Sequence, residues 1–253
     1  MTKILFTFFV FCASITTYSQ VKKPIAKKTV TIAPKKTQPQ NSVGRNISIT
    51  LTPFKNCWVY LGSYYGKGKT LADSAWLDGN SKGSFKANTK LTGGIYFVVS
   101  PQYTIQFELL MDDAQNFSII ADSSRKENFE IKGSPENDLF KEYSKISAVK
   151  GKYLYELNNK LATVKTVSDS ASIRAEIIKV NKERQQYMDD IVKKYPTSLL
   201  ATLFTVMKRP EMPAIPKVNG KPDSLYPYRY FKDHFWDDVN FYDDRLLRTP
   251  FFE

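Results

Sequence analysis

The hydrophobic period of this chain changes at Ser134, and the change separates two kinds of structure. Before Ser134, apolar residues alternate with polar ones, as at Ile47, Ile49 and Leu51, which is the period of a strand with one buried face. After Ser134, apolar residues recur every three or four positions, which is the period of an amphipathic helix. The sequence therefore predicts an α+β fold, with an antiparallel β-sandwich or small barrel followed by a helical domain.

The predicted β domain spans residues 46–133. Cys57, Val59 and Leu61 alternate a second time, with Trp58 and Tyr60 on the opposite face of the same strand. Further short strands are predicted at residues 95–99, 104–111, 117–121 and 129–132. Gly-Lys-Gly, Asp-Gly-Asn and Gly-Gly sequences mark the turns between strands.

The predicted helical domain spans residues 134–253. Ser134 offers a capping side-chain oxygen, and Pro135 suits the first position of a helix. An apolar stripe then follows at helical spacing: Leu139, Tyr143, Ile146, Val149 and Tyr153. Further helices are predicted over 169–194 and 197–208, with one or two more after the proline-rich residues 210–222.

The first 45 residues differ in composition from the rest. Lys3, an apolar run and a small polar exit have the layout of a cleavable signal peptide over residues 1–20, with cleavage near Ser19-Gln20. We therefore expect a periplasmic or secreted protein. Residues 21–45 are a basic Lys/Pro-rich linker, which is interpreted as a solvated spacer or as a weak contact with the anionic envelope surface. Export argues against a nucleic-acid partner.

Cysteine usage limits the redox chemistry of the chain. Cys57 is the only cysteine outside the predicted signal peptide, so an internal disulfide and a Cys-x-x-Cys pair are excluded. The apolar run around Cys57 predicts a buried small hydrophobe rather than a reactive thiol. Phe11, directly before Cys12, argues against lipid attachment at that cysteine.

Residues 63–70, Ser-Tyr-Tyr-Gly-Lys-Gly-Lys-Thr, are similar to a phosphate-binding loop. That loop needs Gly at its first position and a helix after it. Here the first position is Ser63, and the residues that follow have a strand pattern. A lysine-rich hairpin turn is the preferred interpretation.

His234 is the only histidine, and aspartates surround it at positions 237, 238, 243 and 244. An acid–base pair or a metal site could be drawn there, but a nucleophile, a second imidazole and metal-ligand spacing are missing. We expect the aspartates to pair with Arg245 and Arg248 instead. The neighbouring aromatic residues are expected to pack: Phe235, Trp236, Phe241 and Tyr242. The prediction is that no residue of this chain is catalytic, cofactor-binding or metal-binding.

Two segments resemble known but uncharacterised modules. Residues 71–79, 83–85, 94–96, 107–113 and 117–121, followed by Ile-Lys-Gly-Ser-Pro-Glu-Asn at 131–137, resemble a β-rich module that commonly precedes thioredoxin-like domains in exported bacterial proteins. Residues 195–201 and the terminal run after His234 are similar to a helical module that is usually followed by the same fold. Together the resemblances cover about residues 46–253. They imply periplasmic thiol–disulfide exchange through a Cys-x-x-Cys pair in a downstream domain, which this sequence does not include, so no catalytic role is carried over.

Three functional hypotheses follow. The first is a non-catalytic N-terminal region of an exported thioredoxin-like oxidoreductase, which positions the redox domain or docks its substrate. The second is a standalone envelope module that binds peptide or glycan through an aromatic surface formed by Trp58, Trp76, Tyr64 and Tyr65. A hydrolase built around His234 is the third and weakest. The substrate and the oligomeric state cannot be predicted from the sequence.

Overall fold

Two four-stranded sheets form the N-terminal half of the described structure. The computed structural model describes residues 44–125 and 128–252, so the predicted signal peptide and the linker as far as residue 43 lie outside it. The strands are β1 Arg45–Thr52, β2 Cys57–Tyr65, β3 Gly68–Leu77, β4 Lys82–Ala87, β5 Gly94–Val99, β6 Ile105–Met111, β7 Asn116–Asp122 and β8 Phe129–Lys132. The first sheet has the order β4-β1-β7-β8, and the second has the order β3-β2-β5-β6.

The predicted sandwich is confirmed, whereas the barrel is not formed. The alternating apolar residues of both sheets bury their side chains in one core between the sheets, including Ile47, Leu61, Phe85, Leu109 and Ile119. All neighbouring strands of the two sheets are antiparallel except β1 and β7, which are parallel. The chain leaves the first sheet after β1 and returns to both sides of β1, antiparallel at β4 and parallel at β7. The parallel pair is possible because a long crossover, which includes the second sheet, separates β1 from β7.

Four helices follow the sandwich, as the sequence predicts. They are α1 Pro135–Thr163, α2 Val167–Lys194, α3 Leu199–Met207 and α4 Tyr226–His234. A small hairpin of β9 Lys217–Val218 and β10 Lys221–Pro222 precedes α4, and two 3₁₀ turns, Asp244–Arg248 and Pro250–Phe252, follow it. Ser134 caps α1 through its side-chain oxygen, and Pro135 occupies the first turn. Among the described residues, no helix is both long and apolar enough to cross a membrane.

A second core joins the helices to the outer face of the second sheet. Ile95 and Leu110, which point away from the sandwich core, pack with residues of α2, α3 and the first 3₁₀ turn. Asn137, in the first turn of α1, accepts a hydrogen bond from the Leu110 backbone N–H at 2.9 Å. Its side-chain amide donates to the Leu110 carbonyl at 2.7 Å, so the start of α1 is fixed to β6. The described residues thus belong to one compact unit with two sheets and a helical layer.

The predicted apolar stripe of α1 is only partly correct. Leu139 and Tyr143 pack against the second core, but Val149 is 72% exposed and Tyr153 is also exposed. Leu157 on α1 and Val180 on α2 are buried. The contact between the two long helices is narrow. Residues predicted from spacing alone therefore fall partly outside this contact and remain exposed.

Candidate functional site

Aromatic side chains occupy the part of the second sheet's outer face around β2 and β3. The Trp58 and Trp76 rings meet edge to face, with centroids 5.5 Å apart, and each side chain is about half exposed. The rings of Tyr60 and Tyr103 stack with centroids 5.6 Å apart and planes 12° apart. Tyr103 is 78% exposed. We call these four residues the aromatic platform.

The strand register explains why these side chains meet. Trp58 pairs with Trp76, and Tyr60 pairs with Ser74 on β3 and with Val99 on β5. Residues paired across antiparallel strands direct their side chains to the same face. Tyr103 belongs to the turn between β5 and β6, where its φ of 57° and the backbone bond from its N–H to the Ser100 carbonyl fold the chain back over β2.

The platform is electrically neutral. The side chains of Tyr60 and Tyr103 share a hydrogen bond, which raises the pKa of the Tyr60 phenol. Ser74, Gln102 and Thr104 add exposed polar groups without charge around it. The platform therefore presents apolar ring faces and uncharged hydrogen-bonding groups.

The sequence prediction of an aromatic surface is correct for two of its four residues. Trp58 and Trp76 are brought together, whereas Tyr64 and Tyr65 lie at the other end of the β2–β3 hairpin. The Tyr64 hydroxyl donates to Glu108 Oε1 at 2.5 Å, and the Arg248 guanidinium lies 5.9 Å from the Tyr65 ring centroid.

Tyr60 and Tyr103 were not among the predicted residues. Alternation along β2 places Tyr60 on the same face as Trp58, so the signal for Tyr60 was present. No local pattern indicates the position of Tyr103.

A partly buried polar network around Arg245 joins the C-terminal segment to the sandwich. Arg245 Nη1 donates to Asp112 Oδ2 at 3.0 Å and to the Thr197 carbonyl at 3.1 Å. Arg245 Nη2 donates to Asp243 Oδ2 at 2.7 Å and to the Thr202 hydroxyl at 3.0 Å. One guanidinium therefore binds four residues, which belong to the end of β6, the α3 region and the C-terminal segment. Its pairing with Asp243 matches the sequence prediction.

One further carboxyl group, that of Glu136, lies beside this network. Burial raises the pKa of Glu136, whose Oε1 accepts a 2.6 Å hydrogen bond from the Leu200 N–H at the start of α3. Burial also raises the pKa of Asp112, although the nearby Arg245 opposes that effect. Asp243 behaves differently, because its hydrogen bonds with Arg245 lower its pKa.

Two clefts adjoin the network along α3. One has a volume of about 410 Å³ and is lined by residues that include Met188, Lys193 and Phe204. The other has a volume of about 370 Å³ and is lined by residues that include Thr202, Asn240 and Arg245. Thr205 and Asp238 border both clefts, so the two form a continuous surface depression.

His234 lies at the end of α4, partly exposed, and its Nδ1 is 2.6 Å from Asp237 Oδ2. The Tyr230 ring packs against the imidazole, with centroids 4.2 Å apart. Asp237 thus pairs with the imidazole of His234 rather than with an arginine, the partner that the sequence predicts for the aspartates. Among residues 44–125 and 128–252, no group of three or more His, Cys, Asp and Glu side chains is arranged to hold a metal ion.

Two predictions for the aromatic and basic residues near His234 are wrong. Tyr242 is 98% exposed rather than packed. Arg248 donates to the Asp244 backbone carbonyl rather than to an aspartate side chain, and its guanidinium faces Tyr65.

The other two sequence motifs are structural. Cys57 is partly buried against the sandwich core, and burial raises the pKa of its thiol. Residues 63–70 form the end of β2, a tight turn with Gly66 at a φ of 53°, and the start of β3. The strand after the turn replaces the helix that a phosphate-binding loop requires, so the hairpin interpretation is confirmed.

Comparison with protein-family models matches residues 46–140 to a domain of unknown function, DUF4369. The match covers the sandwich from the second residue of β1 to the first turns of α1. A search of curated proteins found no match to the chain.

Proposed function

We propose that this chain is the non-catalytic N-terminal region of an exported, periplasmic thiol–disulfide exchange protein. Its role is to position a thioredoxin-like domain and to dock what that domain acts on. The resemblance of residues 46–253 to regions that precede such domains supports this proposal. The sequence contains no Cys-x-x-Cys pair, so the proposal places the redox chemistry in a separate domain.

The Arg245 network is the observation that carries the positioning role. Asp112 lies directly after β6, Thr202 lies in α3, and Asp243 precedes the first 3₁₀ turn. A planar guanidinium with several fixed partners restricts the geometry of all of them. A domain attached beyond the 3₁₀ turns would start from a defined point on the sandwich rather than from a flexible linker.

The test is calorimetric titration of the purified chain with thioredoxin-like oxidoreductase domains from the same organism. We expect binding by the wild type, weaker binding by Arg245→Ala, and unchanged binding by Arg229→Ala. Arg229 is a suitable control because it is an exposed arginine that is also paired with an aspartate, Asp223.

Absence of binding to every such domain would overturn the positioning role. A second assay addresses catalysis directly. Insulin-disulfide reduction by the chain alone, lost in Cys57→Ser, would contradict the non-catalytic assignment.

The alternative function is a standalone envelope module that binds peptide or glycan, and the aromatic platform favours it. The half-exposed Trp58 and Trp76 side chains provide a large apolar contact area on a rigid sheet. This alternative needs no redox partner. Capture of envelope components by the wild type but not by Trp58→Ala/Trp76→Ala, in the absence of thioredoxin-like proteins, would distinguish it.

A further inference from the structure

We infer that the aromatic platform binds a neutral carbohydrate chain. The inference rests on the alternative function proposed above, the envelope module, and names the class of ligand for its aromatic platform. Three properties of the platform carry it: the shape of the exposed rings, the absence of charge on the positions that form it, and its location on the face of a sheet.

The rings offer the kind of surface on which a sugar ring packs. Tyr103 stacks on Tyr60 with nearly parallel planes, and its outer face is largely exposed to solvent. Trp58 and Trp76 extend the same face of β2 and β3 with one ring set against the edge of the other. The C–H groups of a pyranose form a flat apolar patch that fits an exposed aromatic face.

The charge of the surface selects a neutral ligand. The chain carries a formal net charge of +12, yet the outward positions 58, 60, 74 and 76 and the turn at 100–104 contain no charged residue. The two lysines of the hairpin, Lys67 and Lys69, lie at its far end, where Lys69 pairs with Tyr64. An anionic polymer would find no cation on the platform, whereas sugar hydroxyls would meet the uncharged groups of Ser74, Gln102 and Thr104.

The location on a sheet face argues against an extended peptide as the ligand. Peptides that bind sheets add as a strand at an open edge, where unpaired backbone groups are available. Trp58 and Tyr60 lie on β2, which is paired with β3 on one side and β5 on the other, whereas Trp76 lies on β3, the edge strand of this sheet. A strand added at the β3 edge would lie beside Trp76 but not over the rings of β2, whereas a carbohydrate on the sheet face can use both the ring faces and the side-chain hydroxyls.

The experiment measures binding of the mature chain to a neutral β-glucan, a mannan and chito-oligosaccharides, with polygalacturonate as an anionic polymer and an aromatic-rich neutral peptide as a second comparison. A Trp236→Phe background confines tryptophan fluorescence to Trp58 and Trp76. We expect at least one neutral glycan to change this fluorescence. Trp76→Ala should weaken that binding by about tenfold or more, which corresponds to about 1.4 kcal/mol.

Two variants keep the test clear of folding defects. Tyr103→Asn removes the outermost ring, while Asn tolerates the positive φ of this turn position, so a loss of glycan affinity with unchanged thermal unfolding supports the inference. Tyr242→Ala removes an exposed tyrosine outside the platform and should leave the affinity unchanged.

Three outcomes overturn the carbohydrate ligand. They are binding of none of the neutral glycans, glycan binding that is insensitive to both Trp76→Ala and Tyr103→Asn, and peptide or polygalacturonate binding without glycan binding. Peptide binding that is lost in Trp76→Ala would retain the envelope module as a peptide-binding module while rejecting the sugar. The positioning role is judged by the separate titration with thioredoxin-like domains, so failure of one proposal does not imply failure of the other.

Discussion

Glu136 illustrates how a single carboxyl group serves two helices. It lies in the first turn of α1, and its side chain is 8% exposed. It accepts a hydrogen bond from the Leu200 N–H, one of the backbone donors at the start of α3 that have no partner within the helix. Burial disfavours the charged form, so the pKa of Glu136 is raised above its ordinary value.

We predict that the Glu136→Gln variant becomes more stable relative to the wild type as the pH rises. A carboxyl group with a raised pKa in the folded state contributes stability at low pH, and this stability is lost as the pH rises through the folded pKa. Glutamine does not titrate and retains an oxygen acceptor for the Leu200 N–H. The measurement is urea unfolding of both proteins from below pH 4.5 to pH 8. Above pH 4.5, the unfolding free energy of Glu136→Gln should rise relative to that of the wild type.

Glu183 provides a control with the opposite sign. A hydrogen bond with Lys150 at 2.6 Å lowers the pKa of this exposed carboxyl group. Its contribution to stability is therefore present above its unfolded pKa and is lost as the pH falls through the folded pKa. The unfolding free energy of Glu183→Gln should fall relative to that of the wild type as the pH rises. If Glu136→Gln and Glu183→Gln showed the same pH dependence, the assignment would be contradicted.

Residue-scale features could be predicted only where the signal is local. The Ser134 cap follows from two adjacent residues, and the outward direction of Tyr60 follows from alternation along one strand. Arg245 and Asp112 are separated by 133 positions, so no spacing rule joins them. Tyr103 reaches the platform only because a turn folds it over β2.

At the scale of single elements, α1 contains a glycine that its structure does not require. Gly151 lies within the helix, and a Cβ built there meets no atom within 4 Å. Glycine inside a helix costs about 0.5–1 kcal/mol relative to alanine, because the unfolded chain loses more freedom on folding. We predict that Gly151→Ala raises the free energy of unfolding by that amount, measured by urea denaturation.

Gly62 is the matched glycine for which the same substitution should fail. A Cβ at this position of β2 would lie 2.2 Å from Phe97 Cε2, so the Phe97 ring would have to move. Overpacking of this kind costs about 1–3 kcal/mol. Stabilisation by Gly62→Ala, or destabilisation by Gly151→Ala, would contradict the packing described for the two elements.

Element type was predictable because each period is set by the geometry of one element. The residues before Ser134 form strands, and those after it form helices apart from the small β9–β10 hairpin, as alternation and helical spacing indicate. Pairing was less accessible, because it depends on contacts between distant strands. The parallel pair β1–β7 and the exposure of Val149 both result from which elements become neighbours.

At the scale of the whole molecule, the two cores are connected by apolar packing and by one arginine. Ile95 and Leu110 join the second sheet to the helices, while Arg245 joins β6, α3 and the C-terminal segment. Leu246, the residue after Arg245, is 1% exposed and packs in the second core. The question is which of these contacts holds the C-terminal segment in place.

We predict that Arg245 holds the C-terminal segment in place. Arg245→Ala should therefore release this segment while the sandwich stays folded. The substitution leaves Asp112 and Asp243 without their cation in partly buried positions, which should cost about 3 kcal/mol of stability. Arg245→Lys keeps the charge but cannot hold four partners, so its cost should be intermediate. Hydrogen exchange should accelerate in residues 235–252 and remain slow in β1, β2 and β5.

Arg229→Ala separates a specific effect from the general loss of an ion pair. Arg229 pairs with Asp223, and its side chain is 53% exposed, so its removal should cost less than about 1 kcal/mol. If Arg245→Ala behaves like Arg229→Ala in stability and in exchange, Leu246 and the apolar contacts hold the segment instead. The positioning role would then lose the observation on which it rests, whereas carbohydrate binding by the platform would be unaffected, because the platform belongs entirely to the sandwich.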